Sequence, residues 1–211
     1  MMQCPLCLAA YLIEYKTIED IAYLTCTNCK SVVKHFEHYP TLEAEKKRYL
    51  LHNNDIRNKG YQAFVQPIVQ HILKSKPTAS IGLDFGAGTG PVITEILKAE
   101  GYTISLYDPF FYPDKEVLDS TYDFIICCEV IEHFHSPNNE FKLLRKLLKP
   151  GGTLLCMTHL LPKGDNFGGW YYKNDPTHVI FYSQDNLKWI QANFNFSKVV
   201  IEGRLVAFEC V

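Results

Sequence analysis

The sequence predicts an α/β protein, in which a doubly wound and mostly parallel sheet follows a small cysteine-rich module. From residue 81 onward, apolar strand-like runs alternate with helical patterns, and a glycine-rich turn joins the first strand to the first helix. Two C-x-x-C pairs lie in the first 30 residues. We therefore expect three segments, namely a module over residues 1–38, a helical linker or lid over 39–78, and the α/β domain over 79–211.

The composition narrows the class of protein. A chain of 211 residues with 47% hydrophobic residues can form one domain of ordinary size with a small appendage. Its formal charge of −2 gives no general attraction to nucleic acid or anionic membranes. Residues 1–80 carry more basic than acidic residues, so an anionic partner is expected to bind this part of the chain. Without a membrane-length apolar run or a signal sequence, the chain is expected to be cytoplasmic, as a monomer or small homo-oligomer.

The first four cysteines have the spacing of a zinc ribbon. Cys4 and Cys7 form C-P-L-C, Cys26 and Cys29 form C-T-N-C, and strand-like residues between the pairs predict a hairpin that brings them together. Four thiolates of this kind form a closed, structural zinc site, whereas two disulfides or unrelated thiols are the alternative. The remaining cysteines lie in apolar runs and are interpreted as core residues: Cys127, Cys128, Cys156 and Cys210.

Two helices are expected in the linker. Thr41 caps the first, with an acidic residue in its first turn, and the second runs over about Gly60–Ser75 with apolar residues near helical spacing. Tyr49, His52 and Tyr61 on these helices are interpreted either as pocket-lining residues or as packing residues.

A strand, a glycine turn and a helix follow one another at residues 81–98. Ile81–Phe85 reads as a buried strand, Gly86, Gly88 and Gly90 form the turn, and Pro91 fits the first helical position. Glycines let the main chain turn sharply and approach a ligand, and the helix N-terminus behind them carries free N–H groups.

Two aspartates flank this turn. Asp108 ends a predicted strand at Thr103–Tyr107, where an acidic residue can accept both hydroxyls of a ribose, and Asp84 can attract a cationic ligand or order the loop. Caps or turn formers are the alternative for both. The spacing G-x-G-x-G is followed by Pro91 where a dinucleotide fingerprint has its third glycine, which argues against NAD or FAD.

Four segments in order carry a family resemblance: L-D-F-G-A-G-T-G, then Asp108, Y-D-F-I-I-C-C-E-V-I-E-H and L-L-K-P-G-G-T-L-L. From about Ile81 onward, the chain resembles the class I S-adenosylmethionine-dependent methyltransferases. The resemblance implies a Rossmann-like, seven-stranded sheet whose last strand is antiparallel, with S-adenosylmethionine over the ends of the first strands. It implies these cofactor-binding residues: Asp84, Gly86, Ala87, Gly88, Gly90, Asp108, Pro109 and Glu129.

The segment after Asp108 departs from that family. Residues 109–122 leave little room for a complete third strand and helix, and their aromatic, proline-rich start reads as a loop. The residue that contacts adenine in the family therefore cannot be assigned. Phe110 or Phe111 can stack on the adenine or pack in the core.

The E-V-I-E-H run places polar residues after the next strand. Glu129, Glu132 and His133 share a face by spacing, which makes a divalent-metal site possible. A similar set, completed by a later His that would be His178 here, binds metal in the small-RNA 3′-terminal 2′-O-methyltransferases. The run also resembles metal-free quinone-biosynthesis O-methyltransferases, in which the His is a candidate base. The catalytic candidates are His133, His178 and Glu132.

The stretch after the fifth predicted strand lies where this family recognises substrate. Trp170, Tyr171 and Tyr172 can form an aromatic wall, with Asp175 as a polar partner, although a packed loop with an Asp-Pro turn is the alternative. The surrounding segments are predicted scaffold: a helix over Glu140–Lys149, a strand over Thr153–Thr158, a helix capped by Ser183, and a final antiparallel pair over Ser197–Ile201 and Leu205–Cys210.

Together these features predict in-line transfer of a methyl group from S-adenosylmethionine to an unidentified acceptor, such as a small-molecule hydroxyl or similar nucleophile. One alternative is an RNA methyltransferase whose ribbon contacts RNA, with divalent-metal-dependent 2′-O-methylation as one form of it. The other alternative is a scaffold that keeps the fold without the activity.

Overall fold

A computed structural model describes residues 2–52, 54–164 and 166–211. Strands and helices alternate through most of the chain after residue 81, as the sequence pattern predicts. The strands are β1 (Leu12–Ile18), β2 (Ile21–Cys26), β3 (Val32–Lys34), β4 (Ile81–Phe85), β5 (Thr103–Tyr107), β6 (Tyr122–Cys128), β7 (Leu148–Met157), β8 (Ile180–Phe181), β9 (Lys198–Glu202) and β10 (Leu205–Glu209).

The helices have clear local causes. Thr41 Oγ1 accepts the Ala44 N–H at 3.3 Å at the start of α1, and Ser183 Oγ accepts the Asn186 N–H at 3.1 Å at the start of α5. None of the helices in the described ranges is long and apolar enough to cross a membrane. The helices are α1 (Leu42–Tyr49), α2 (Lys59–Ser75), α3 (Val92–Ala99), α4 (Pro137–Leu147) and α5 (Gln184–Asn193).

The main sheet is mostly parallel, in the order β5-β4-β6-β7-β10-β9. Strands β5, β4, β6 and β7 are parallel, and β10 runs antiparallel to both β7 and β9. In the described residues this sheet has six strands, so the expectation of seven is wrong. Between β5 and β6 the chain makes only an isolated Asp108–Tyr112 bridge and a 3₁₀ turn at Glu116–Asp119. Pro109 and Pro113 lack the N–H groups that a further strand needs there.

The N-terminal module forms a second sheet, in the order β1-β2-β3-β8. Strands β1 and β2 make the expected hairpin, with Leu12 paired to Cys26 and Ile18 to Ile21. Its outer strand β8 comes from the C-terminal half of the chain, and the sequence did not predict this pairing. The module therefore shares a sheet with the segment that follows the substrate stretch.

Both faces of the main sheet are covered. On one face, α2 and α3 pack against β6 and β7 through apolar residues that include Val65, Ile68 and Leu97. On the other face, α4, α5 and the cysteine-rich module share a single buried cluster that includes Cys4 and Phe141. The module is thus part of the main hydrophobic core and not a separate appendage.

Two buried asparagines join the cysteine pairs to the helices. Asn138 on α4 donates from Nδ2 to the Leu6 carbonyl at 2.7 Å, and Asn186 on α5 donates from Nδ2 to the Cys29 carbonyl at 2.8 Å. Asn186 is fully buried. Without these donors, the two buried carbonyls would lose these hydrogen bonds, and this loss would destabilise the folded state.

We predict that Asn186→Ala lowers the free energy of unfolding by about 1–3 kcal/mol, because it removes the donor to a buried carbonyl. Asn193→Ala is the matched control, since Asn193 lies on the same helix and its Nδ2 donates at 2.8 Å to the Trp189 carbonyl at an exposed position. Urea denaturation of both variants measures the difference. Equal losses for Asn186→Ala and Asn193→Ala would contradict the role assigned to this bond.

Candidate active site

The glycine turn closes tightly at the carboxyl end of β4. Gly86 has a φ of +83°, and a Cβ atom there would lie 2.5 Å from a Val130 methyl carbon. A Cβ atom on Gly90 would lie 2.0 Å from the Asn54 carbonyl oxygen. Glycine is therefore required at Gly86 by conformation and space and at Gly90 by space, since Asn54 of the linker lies directly against the turn.

Asp108 joins this turn to the one that follows β5. Its Oδ2 accepts the Gly88 N–H at 3.0 Å, and its Oδ1 accepts the N–H groups of Phe110 at 2.8 Å and Phe111 at 3.1 Å. An ionised carboxylate offers about four lone-pair sites, so this one keeps acceptor capacity for a ligand. Asp108 and Pro109 both line the cavity beside the turn.

Asp84 adds a second buried carboxyl group. It accepts the Thr94 hydroxyl at 2.7 Å and is only 5% exposed. Burial raises its pKa to about 6, while the Thr94 hydrogen bond opposes that rise. Asp84 and Asp108 give this end of the cavity a negative character, which favours a ligand with a positive charge.

A cavity of about 980 Å³ extends from the glycine turn to the residues after β6. Helix α1 and the 171–178 segment form its other walls. Arg48 on α1 forms an ion pair with Asp175 at 2.7 Å, and Glu45 pairs with His135 at 2.8 Å. These contacts hold α1 over the cavity, and the sequence pattern, which predicted the helix, gave no sign of them.

His133 and His178 line the far end of the cavity, and Glu132 is buried beside them, with one ligand atom of each residue within 4.8 Å of the others. His133 Nδ1 lies 3.1 Å from the Thr177 carbonyl, and His178 Nδ1 lies 2.7 Å from the Tyr172 carbonyl. A carbonyl only accepts, so each Nδ1 carries the hydrogen and each Nε2 presents a lone pair. Burial lowers the pKa of His133 to about 3 and that of His178 to about 4, which keeps both imidazoles neutral at pH 7.

Glu132 and Glu129 share one hydroxyl donor. Tyr172 contacts Glu132 Oε1 closely, and its hydroxyl lies 3.0 Å from Glu129 Oε2. Burial raises the pKa of Glu132 well above its usual range, and the charge of Glu129 adds to this effect. Among the described side chains, Glu129 Oε1 and Glu132 Oε2 are buried without a hydrogen-bond partner. Two buried carboxyl oxygens thus lack the hydrogen-bond partners that buried polar groups normally have.

The spacing predicts that Glu129, Glu132 and His133 share one face of a helical turn. In the structure, Glu129 lies outside that turn. Its φ is +54°, in the left-handed region, and the 3₁₀ turn that follows covers only Ile131–His133. This backbone conformation is uncommon for a non-glycine residue and often marks a functional constraint. The cluster that can hold a cation therefore comprises Glu132, His133 and His178, without Glu129.

The four predicted substrate residues divide between the cavity and the core. Tyr171, Tyr172 and Asp175 line the cavity, and Tyr171 is 63% exposed. Trp170 lies outside the lining that the described residues form, and its ring packs 6.0 Å from that of Phe167. Three linker residues also line the cavity: Tyr49, His52 and Tyr61.

Comparisons with known proteins identify the family and the fold of the chain. A sequence profile described as a methyltransferase domain matches residues 57–200. No curated protein matches the chain. Among solved structures, Burkholderia thailandensis 1,6-didemethyltoxoflavin-N1-methyltransferase is similar, with a TM-score of 0.57 and 11% identity over 94% of this chain and 99% of that one.

Two further solved structures share the fold. An O-methyltransferase family protein from Burkholderia thailandensis has a TM-score of 0.54 and 14% identity over 78% of this chain and 61% of its own. CalO1, a methyltransferase in calicheamicin biosynthesis, has a TM-score of 0.50 and 12% identity over 72% of this chain. This chain spans only 56% of the length of CalO1. At such identities the likeness shows the fold alone, whereas the profile match covers more than half of the sequence. The chain therefore belongs to the methyltransferase domain family.

Proposed function

We propose that this methyltransferase transfers a methyl group from S-adenosylmethionine to a small acceptor with an O–H or N–H group. The observation that carries the proposal is the cavity that joins the glycine turn and Asp108 to His133 and His178, with Glu132 buried beside the two histidines. S-adenosylhomocysteine, the demethylated product, is bound in the structures of 1,6-didemethyltoxoflavin-N1-methyltransferase and CalO1. Both proteins have the same fold.

The residues at the glycine turn fit the cofactor. Asp108 keeps acceptor capacity toward the cavity after its three main-chain bonds, which suits ribose hydroxyls. The main chain of Gly86–Gly90 lines the cavity and suits the amino-acid part, and Asp84 with Asp108 suits a positive charge. The bound cofactor would supply an electrophilic methyl group on its sulfonium.

The far cluster would act on the acceptor. His133 and His178 present neutral Nε2 lone pairs, so either can take the proton that the acceptor releases. Glu132 lies within 4.8 Å of both and has one oxygen without a partner among the described groups. The walls would hold the acceptor against the methyl group, and this proximity is the main contribution that the protein makes.

The charges around the cavity favour a small uncharged acceptor. Arg48 is already paired with Asp175, and no lysine is among the described residues of the lining. An RNA backbone requires arginine or lysine side chains for its phosphates, and none is free here. The observations therefore do not favour the RNA alternative, whereas the aromatic rings of Tyr49, Phe110 and Tyr171 suit a flat organic molecule.

We further propose that the four N-terminal cysteines hold a structural zinc ion. The Sγ atoms of Cys4 and Cys29 lie 3.6 Å apart, and those of Cys7 and Cys26 lie 3.4 Å apart. Tetrahedral zinc with Zn–S distances of about 2.3 Å separates its sulfurs by roughly 3.8 Å. These distances are close to that value and much longer than a disulfide of about 2 Å. Such a closed site supplies folding energy and no catalytic position.

A second candidate function makes the transfer dependent on a divalent cation. Both Nδ1 atoms of His133 and His178 are bound to carbonyls, and Glu132 Oε2 is buried without a partner among the described groups. Two imidazole nitrogens and a carboxylate oxygen that converge in this way suit a first-row divalent metal. The imidazoles would then be metal ligands and not bases.

Asp108→Ala is expected to weaken the binding of S-adenosylhomocysteine at least about tenfold, because the carboxylate both orders the glycine turn and faces the ribose position. Titration calorimetry measures this effect. Asp114→Ala is the matched control, because Asp114 also accepts a main-chain N–H two residues ahead, at 2.9 Å from Glu116, but lies in the exposed loop.

Failure of the wild-type protein to bind S-adenosylhomocysteine would remove the basis of the proposed function. If binding occurs, transfer of a labelled methyl group from S-adenosylmethionine to fractions of a cell extract identifies the acceptor. Label that survives ribonuclease and moves with small molecules is the expected result, whereas label lost with RNA would favour the alternative.

For the four-cysteine site, purified protein is expected to contain one zinc ion per chain, and a chelator should lower its melting temperature. Cys7→Ser should reduce the zinc content, whereas Cys210→Ser, outside the cluster, should not. Elemental analysis and thermal melting provide the measurements. A protein free of zinc, with melting unchanged by chelator, would refute this assignment.

The second candidate predicts that zinc-loaded protein binds one additional Co²⁺ ion, with absorption bands that His178→Ala removes. His71→Ala is the control, because His71 lies on α2 outside the cluster. If Co²⁺ does not bind beyond the ribbon site and methyl transfer is insensitive to added divalent ions, the metal-dependent form is excluded and the base mechanism stands.

A further inference from the structure

The segment that carries His178 is held between the cysteine-rich module and Glu132. On one side, β8 pairs with β3, with Val33 opposite Ile180. On the other side, the Val179 N–H donates to the Glu132 carbonyl at 2.9 Å. Main-chain hydrogen bonds thus lead from the module through this segment to the candidate catalytic cluster.

Lys34, the last residue of β3, makes two hydrogen bonds to this segment. Its main-chain N–H donates to the Val179 carbonyl at 2.9 Å, and its Nζ donates to the Pro176 carbonyl at 2.8 Å. The two bonds lie on either side of His178 in the sequence. A peptide held at both Pro176 and Val179 has few alternative conformations, so these two bonds restrict the backbone of His178 together with the Val179–Glu132 bond.

The burial of Lys34 is unusual and needs a cause. Its side chain is 2% exposed, whereas lysines are almost never fully buried unless they have a partner. Burial lowers its pKa to about 8, and the charge of Asp175 partly opposes this. Apolar side chains occupy the neighbouring positions of the strand, Val32 and Val33, so packing alone does not require a lysine. The hydrogen bond to Pro176 is the interaction that an apolar residue could not make.

The module itself is firmly placed. Asn138 and Asn186 bind the carbonyls of Leu6 and Cys29, so both cysteine pairs are tied to helices of the methyltransferase domain. Lys34 extends from this anchored sheet. A side chain on a fixed support can transmit position to a loop, whereas one on a mobile support cannot.

We propose that Lys34 is a positioning residue of the active site, which holds the Pro176–Val179 loop so that His178 meets Glu132 and His133. The N-terminal module then supports the segment that forms one wall of the site and does not only stabilise the fold. This inference rests on the proposed function for its consequence in catalysis, although the contact itself can be tested without it.

The test compares Lys34→Met with Lys30→Met. Methionine keeps most of the length of the side chain and removes its N–H donors. Lys30 lies in the same module and donates from Nζ to the Thr27 carbonyl at 2.6 Å, but it is exposed and its bond stays within the module. Lys34→Gln is a milder variant, since it keeps an N–H donor at a slightly shorter reach.

In Lys34→Met, we expect hydrogen exchange of the amides in residues 177–181 to accelerate at least about tenfold, with exchange in residues 81–90 unchanged. The rate of labelled-methyl transfer at saturating S-adenosylmethionine should fall at least about tenfold, with the KM for that cofactor and the affinity for S-adenosylhomocysteine within about twofold of wild type. Lys34→Gln should be intermediate, and Lys30→Met should equal wild type.

Wild-type exchange and rate in folded Lys34→Met would overturn the proposal, and so would a loss of cofactor affinity as large as the loss of rate. If Lys34→Met does not fold, Lys34→Gln is the test variant. Wild-type amide exchange and a wild-type rate of methyl transfer in Lys34→Gln would then overturn the proposal. A wild-type protein that binds no S-adenosylhomocysteine refutes the proposed function separately, because hydrogen exchange still reports whether Lys34 holds the loop.

Discussion

The architecture of the site depends on three hydrogen bonds to one carboxylate. Asp108 binds the N–H groups of Gly88, Phe110 and Phe111, and so it fastens the turn after β4 to the turn after β5. Main-chain bonds from the Gly86 and Ala87 N–H groups to the Tyr107 carbonyl, at 2.8 and 3.1 Å, join the same two turns at the carboxyl edge of the sheet. With this tie, the two turns form one wall of the cavity, and α1 and the 171–178 segment can close over it.

The opposite wall is built from elements far apart in the chain. His178 sits between Lys34 of the N-terminal module and Glu132 after β6, and Tyr172 contacts both Glu129 and Glu132. In this buried setting the imidazoles stay neutral and the carboxyl groups are poorly solvated, so each interacts strongly with any ligand that reaches it. The cysteine-rich module shares both a sheet and a hydrophobic core with the methyltransferase domain, and Lys34 reaches from it to the segment that carries His178.

Local signals in the sequence predicted much of the fold. The caps at Thr41 and Ser183, the strand–glycine turn–helix at residues 81–98 and the C-x-x-C hairpin are all present. The count of strands was wrong, because the family layout outweighed the two prolines that interrupt the segment after Asp108. The predicted common face of Glu129, Glu132 and His133 is absent, because the helical spacing rule does not hold across a residue with left-handed φ such as Glu129.

By itself, the sequence determined the class of fold, the glycine turn with Asp108, the four-cysteine cluster and the identity of the polar residues near the site. These features follow from spacing over a few residues, where backbone conformation and side-chain pattern are directly linked. Only the tertiary structure decided that β8 joins the sheet of the cysteine-rich module, that Arg48 pairs with Asp175, and that Lys34 reaches Pro176 across 142 positions. Such contacts depend on how distant segments pack, and a short sequence pattern carries no record of which distant segment will lie beside it.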